Sequence, residues 1–194
     1  MLSVVVLISG SGSNLLALLK AAENPLYPVR ILAVGSDKAA EGLAHADLFG
    51  VPTFVVEPER FDGVESWSDK LKENILHFNP DLVVLAGFMK ILPPSFVEAF
   101  GSNILNTHPS LLPLFPGAHA VRDALAAGVR ETGVTIHVVD NGVDTGPIIA
   151  SKSVTVMPAD DEATLHERIK VVERELLVET VAGIAEKRIE LAKI

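Results

Sequence analysis

An asparagine and a histidine two residues apart, Asn106 and His108, stand directly before Pro109-Ser110-Leu111-Leu112-Pro113. Residues 102–106 read as a short strand, with Ile104 and Leu105 strand-prone and Gly101 ahead of them. Side chains two apart in a strand share a face, so Asn106 and His108 project together. Pro109 cannot extend a ladder, and it biases His108 toward extended geometry. A donating carboxamide beside a group that titrates near neutral pH is what stabilising a tetrahedral oxyanion requires. A strand end whose Asn and His only cap nearby backbone would use the same residues.

The elements that must position this pair alternate along the chain. Residues 4–8 are a continuous apolar run, the pattern of a strand buried on both faces of a parallel sheet. Further strands are expected over 29–34, over 51–56 with Pro52 pointing to a sheet edge, and over 81–87, the most central. Helices are expected over 15–22, 42–49 and 65–78, the last with Trp67, Leu71, Ile75 and Phe78 at amphipathic spacing. A small helix over 120–127 and strands over 132–139 and 148–156 follow. A long C-terminal helix over 162–187 lines up Leu165, Ile169, Val172, Leu176 and Thr180, with Asp160 and Asp161 where negative charge suits its dipole. This pattern predicts an α/β fold: a doubly wound, mostly parallel, Rossmann-like sheet with right-handed crossovers in a single domain. Such sheets bind ligands beyond the carboxyl ends of their strands. Residues 9–14, 87–92 and 106–108 all lie there, so three segments converge on one crevice.

Each converging segment has its own chemistry. Ser9-Gly10-Ser11-Gly12-Ser13-Asn14 joins a strand to a helix, where glycines let backbone approach an anion and the helix end offers unpaired N–H groups. It is not a P-loop, because Ser13-Asn14 follows Gly12, and Leu15 breaks the dinucleotide fingerprint. One phosphate fits better than a pyrophosphate; a tight turn capped by Ser13 or Asn14 is the other reading. Phe88-Met89-Lys90-Ile91-Leu92 is an apolar run in a loop, either a cap on the core or a slot for a flat ring. Residues 132–139 put Thr135, His137 and Val139 on the more polar face of their strand. The following Asp140-Asn141-Gly142-Val143-Asp144-Thr145-Gly146-Pro147 marks a tight loop in which either aspartate could cap a turn. It lacks the ligand spacing of a calcium loop. Lys170 and Glu173 would be helix neighbours, able to form a surface salt bridge. His166-Glu167 has no second histidine at zinc-protease spacing, and His45, His77 and His166 stand alone on predicted helices, so no metal is expected.

The run from Asn106 to Pro113, followed by Phe115-Pro116-Gly117, resembles the active-site signature of the folate-dependent formyltransferases. The resemblance extends from Val4 to about Glu190. It implies the formyltransferase fold. It also implies transfer of the formyl group of 10-formyltetrahydrofolate, as co-substrate, to the primary amine of glycinamide ribonucleotide in purine synthesis. Asn106, His108 and Asp144 match the family's catalytic residues, with Asp144 supporting a protonated His108 by its charge. Gly12, Ser13, Asn14, Lys170 and Glu173 match positions that hold the substrate's phosphate and ribose. Met89, Lys90, Ile91 and Leu92 match one wall of the pterin pocket. Asn106, Val139, Asp140, Asn141, Gly142, Val143 and Asp144 match the rest, including the loop that closes on the pterin. The first hundred residues would then form the phosphate-binding half, and 101–194 the folate-binding and catalytic half. In one place the pattern departs: some relatives carry an arginine for the folate tail after Phe61-Asp62, whereas Gly63-Val64 stands here and Arg60 lies upstream.

Composition narrows the field. The 194 residues suit one domain with a full core, and 48% are hydrophobic. No apolar run approaches the roughly 20 residues of a membrane helix. The start lacks the basic region of a signal peptide. Cysteine is absent, which removes disulfides and thiolate chemistry and suits a cytoplasmic protein. A formal charge of −9 argues against nucleic-acid binding but allows a local anion site. Monomer and homodimer both remain open. A methionyl-tRNA formyltransferase would need a basic surface and a second domain, and a formyltetrahydrofolate hydrolase usually has a domain ahead of the first strand. A non-catalytic nucleotide-binding module could use the same crevice without needing Asn106, His108 and Asp144 together.

Overall fold

In β1 (Leu2–Ile8) every residue from Val4 onward is buried, because neighbouring strands flank it and helices cover both its faces. The structure is a computed structural model and describes residues 1–191. After β1 come α1 (Ser13–Ala22), β2 (Val29–Ser36), α2 (Leu43–Leu48), β3 (Thr53–Val55) and α3 (Val64–His77). Then follow β4 (Leu82–Leu85), α4 (Pro94–Phe100), β5 (Ile104–His108), α5 (Ala120–Ala126), β6 (Glu131–Val138), β7 (Ile148–Thr155) and α6 (Glu162–Ala185). One sheet carries all seven strands in the order β3-β2-β1-β4-β5-β6-β7. The first five run parallel, whereas β6 pairs antiparallel with both β5 and β7. The expected doubly wound, mostly parallel sheet is therefore present, with β4 at its centre and β3 at its edge just after Pro52.

Strand alternation divides the core. Val4, Val6 and Ile8 pack with α1 and α6, while Val5 and Leu7 pack with Trp67 and Leu71 of α3 and Phe96 of α4. On β5 the same rule sends Ile104 to the α3–α4 side and Leu105 to the α1–α6 side. The strand order reverses between β1 and β4, and there Ser9 N–H donates to Gly87 O at 3.1 Å. That reversal opens the crevice.

Two elements differ from expectation. β5 continues through His108 instead of stopping at Asn106, because β6 pairs Asn106 with His137 and His108 with Thr135. The Pro93-Pro94 pair begins α4, with Pro94 in its first turn and Phe96 and Val97 buried; the missing N–H of proline costs nothing there. The last helix keeps its expected face but ends at Ala185.

Candidate active site

His108 is held from both sides of its ring. Its Nε2–H donates to Phe115 O at 2.8 Å, and Nδ1 lies 3.2 Å from Asp144 Oδ2. Both partners are acceptors, the pattern that a doubly protonated imidazole satisfies. The Phe115 carbonyl is set by the turn after β5. There Ser110 Oγ donates to Leu114 O, while Thr135 Oγ1 donates to Ser110 O at 2.7 Å and accepts from Leu112 N–H at 3.0 Å. The Pro-Ser-Leu-Leu-Pro turn is thus fastened to β6, and His108, only 4% exposed, sits against it.

Asp144 is the hub. Its residue has φ of 54°, a left-handed backbone that aspartate tolerates better than most residues. Oδ2 also accepts from Gly117 N–H at 2.8 Å, so the carboxylate clasps the loop after β5 to the loop after β6. Oδ1 lies 3.4 Å from both Asn106 Nδ2 and His137 Nε2. Burial disfavours the charge of this carboxyl, but hydrogen bonds from His137 and Gly117 N–H, with the fields of His108 and His137, outweigh it. The pKa of Asp144 consequently lies below the ordinary carboxylate value. The Asn106 amide lies 3.2 Å from His137 Nε2. His137 directs Nδ1 at Val138 O, 2.9 Å away. Neutral, Nε2 accepts from Asn106; protonated, it donates to Asp144. The long contacts of Asn106 leave its amide able to turn to an incoming oxygen.

The two loop aspartates do different work. Asp140 Oδ1 accepts from Gly142 N–H at 3.0 Å and Thr145 Oγ1 at 2.7 Å, so it caps the turn. Asp144 is released from that task and points at the histidines. Gly146 is needed for close approach, since a Cβ there would overlap Val138 O.

Asn106, His108 and Asp144 line a cavity of about 410 Å³ together with Val139, Asp140, Gly142 and Val143, a size that suits a small-molecule site. Asn141 is exposed and outside that lining. The 88–92 segment serves both purposes read from its sequence. Phe88 and Leu92 are buried in the core, Phe88 stacking on Trp67, whereas Met89 and Ile91 stand 76% and 74% exposed at the cavity rim. Lys90, also in the lining, faces the buried Asp37 at 3.9 Å. Ser9 Oγ accepts Met89 N–H at 2.8 Å, tying this wall to β1.

The other group of predicted residues lies outside the cavity lining. Gly12 has φ of 71°, and a Cβ there would come within 2.9 Å of Gly42 Cα. Leu16 makes a helical bond to Gly12 O, and no side chain caps α1. No side chain accepts from the N–H groups of that first turn, so the alternative reading of a turn capped by Ser13 or Asn14 does not hold. Lys170 pairs with Glu167 at 2.8 Å rather than with Glu173. Glu173 is 8% exposed and accepts from Thr107 Oγ1 at 2.5 Å, so the expected surface pair is corrected on both counts. α6 is fixed by a reciprocal cap between Asp161 and Thr164 and by a two-armed Arg168–Asp160 clamp with both arms at 2.7 Å.

Sequence reasoning missed His137 as a partner of Asn106 and Asp144 and Thr107 as the partner of Glu173, and it left His166, which lines the cavity, as an isolated residue. The polar face of β6 was the available signal for His137. Thr107 offered none, since its partner lies 66 residues away. Among the described residues, no group of three His, Asp or Glu side chains could hold a metal ion. Among the described residues, no helix is long and apolar enough to cross a membrane.

Comparison with known proteins places this geometry in context. The formyl transferase family model matches residues 2–181. The phosphoribosylglycinamide formyltransferase of Mycobacterium tuberculosis is 50% identical over 182 residues, covering 94% of this chain and 84% of that protein. Its namesake in Escherichia coli is 38% identical over 191 residues, covering 98% and 90%. The crystal structure of glycinamide ribonucleotide transformylase 1 from Symbiobacterium toebii superposes with a TM-score of 0.94 at 40% identity, covering 97% of this chain and 89% of that one.

Proposed function

The chain belongs to the formyl transferase family, and from that footing we propose how its own residues carry the reaction. The enzyme transfers a formyl group to glycinamide ribonucleotide, the activity its relatives are named for, and in this reading the acceptor is the primary amine in a step of purine synthesis. The donor in this reading is 10-formyltetrahydrofolate, whose pterin occupies the cavity between the 88–92 wall and the 139–144 loop. The ribonucleotide lies across the carboxyl edge of the sheet. Its phosphate meets the first turn of α1 at Gly12, Ser13 and Asn14, with Lys170 turned from Glu167, and its ribose hydroxyls meet Glu173. A cytoplasmic location accords with that substrate pair.

In the chemical step the amine attacks the formyl carbon. A carbon–nitrogen bond forms as the carbonyl pair moves onto oxygen. Asn106 and protonated His108 donate to that oxyanion. Asp144 keeps His108 charged, accepts the proton released by the amine, directly or through one water, and returns it to the folate nitrogen as the bond to formyl breaks. The products are the formamide and tetrahydrofolate, and no proton is gained or lost.

The observation that carries this reading is one carboxylate within 3.4 Å of a carboxamide and two imidazoles on the wall of a cavity. Absorbance measurement of tetrahydrofolate release, with and without glycinamide ribonucleotide, tests it. Release that requires the ribonucleotide is expected. Equal release in its absence would make the chain a hydrolase using the same three residues.

A further inference from the structure

We propose that Thr107, between the two oxyanion donors in sequence but on the other face of β5, is a positioning residue that fixes Glu173 for the ribonucleotide. Core packing sets the faces. Ile104 packs with the α3–α4 core and Leu105 with the α1–α6 core. Alternation then puts Asn106 and His108 with Ile104, and Thr107 with Leu105, toward α6. There Thr107 Oγ1 donates to Glu173 Oε1 at 2.5 Å. Glu173 is 8% exposed, so its carboxylate has given up most of its water. Thr107 is the partner of one carboxylate oxygen. Among the described residues, Oε2 makes no bond of its own and is not sealed from solvent, leaving one acceptor for a hydroxyl donor. Lys170, one turn earlier, is held by Glu167 and leaves Glu173 to Thr107.

The consequence is mechanical as well as chemical. Thr107 belongs to the same three-residue stretch as the catalytic pair, and its hydroxyl is the tie between that stretch and the substrate-facing turn of α6. The helix cannot slide along the sheet without breaking this bond, and Arg168 Nη1, which donates to Thr155 O at the end of β7 at 3.0 Å, ties the start of the helix to the sheet as well. A substrate held by Glu173 is therefore held in register with Asn106 and His108. The inference rests on the reading of Glu173 as a ligand of the ribonucleotide.

Steady-state kinetics of Thr107→Val, Thr107→Ser and Glu173→Gln test both layers. Valine keeps the shape and strand preference of threonine but removes the donor. The Michaelis constant for glycinamide ribonucleotide should rise about tenfold, the weight of one hydrogen bond to a charged group. Turnover number and the Michaelis constant for the folate should stay within about twofold. Serine should restore the wild-type constant. An unchanged ribonucleotide constant in Thr107→Val, with Glu173→Gln raising it, would overturn the positioning role alone. An unchanged constant in Glu173→Gln would remove the underlying reading and this inference with it. A uniform fall in turnover with both constants shifted, not rescued by serine, would show a purely structural threonine and also overturn the proposal.

Discussion

Asp144 Oδ1 and Oδ2 have four contacts at 3.4 Å or less, and each is to a group able to donate a proton. Loss of its charge leaves His108 without the anion beside Nδ1. Asp144→Asn and His108→Ala should each lower turnover by a few hundredfold, about 3–4 kcal/mol in the transition state, the weight of one oxyanion donor. Substrate affinity should change far less; single-turnover rates alongside equilibrium binding check the split. Near-normal turnover in either variant would end the proposed roles. His137 belongs at the same scale. Removing it by His137→Ala deprives Asn106 of one of its two side-chain partners, and we expect a smaller loss, about tenfold in turnover. A loss as large as that of His108→Ala would mean that His137 touches the reacting atoms.

At the scale of elements, two devices set the site. The first turn of α1 relies on Gly12 for its left-handed φ and for its approach to Gly42. Gly12→Ala should lower the melting temperature and raise the Michaelis constant for the ribonucleotide while leaving that for the folate unchanged. An unchanged ribonucleotide constant would count against the phosphate cradle. The second device is the start of α6. Hydrogen bonds from Arg168 chiefly, then from Met157 N–H, draw the Asp160 carboxyl from its ordinary 3.8 down to about 2. A carboxylate with a depressed folded pKa adds stability that is complete above the unfolded value and is lost as pH falls through the folded one. The melting-temperature gap between wild type and Asp160→Asn should therefore be full at neutral pH, narrow below about 4 and close near 2. A gap independent of pH would show that charge has no part in the clamp. The sequence displayed these aspartates as dipole partners only; the Asp161–Thr164 cap and the reach of Arg168 appear once the helix has a defined first turn.

For the molecule as a whole, charge bears on the folate tail. Arg60 is occupied by Glu57, Val64 begins α3 half-exposed, and Lys90 faces Asp37. A polyglutamate tail thus meets, in Arg60 and Lys90, two cations that already face carboxylates. Lengthening it from one to five glutamates should change the Michaelis constant by less than about threefold, the range of screened surface pairs. A steep dependence would reveal a tail site on this acidic chain.

Local periodicity carried much of this protein in plain view. Continuous apolar runs within residues 4–8 and 81–87 announced buried parallel strands, and two-residue spacing alone put Asn106 and His108 on one face. The aspartates at 140 and 144 were equivalent by composition, and so were two partners for Lys170. Only tertiary structure separated them. Positive φ aims Asp144 at His108, antiparallel register sets His137 against Asn106, and a buried hydroxyl claims Glu173 before Lys170 can. The reason is one of range: side-chain direction along a strand depends on its nearest neighbours, whereas register and loop approach are settled by residues 30 to 70 positions away, by the burial and pairing they share.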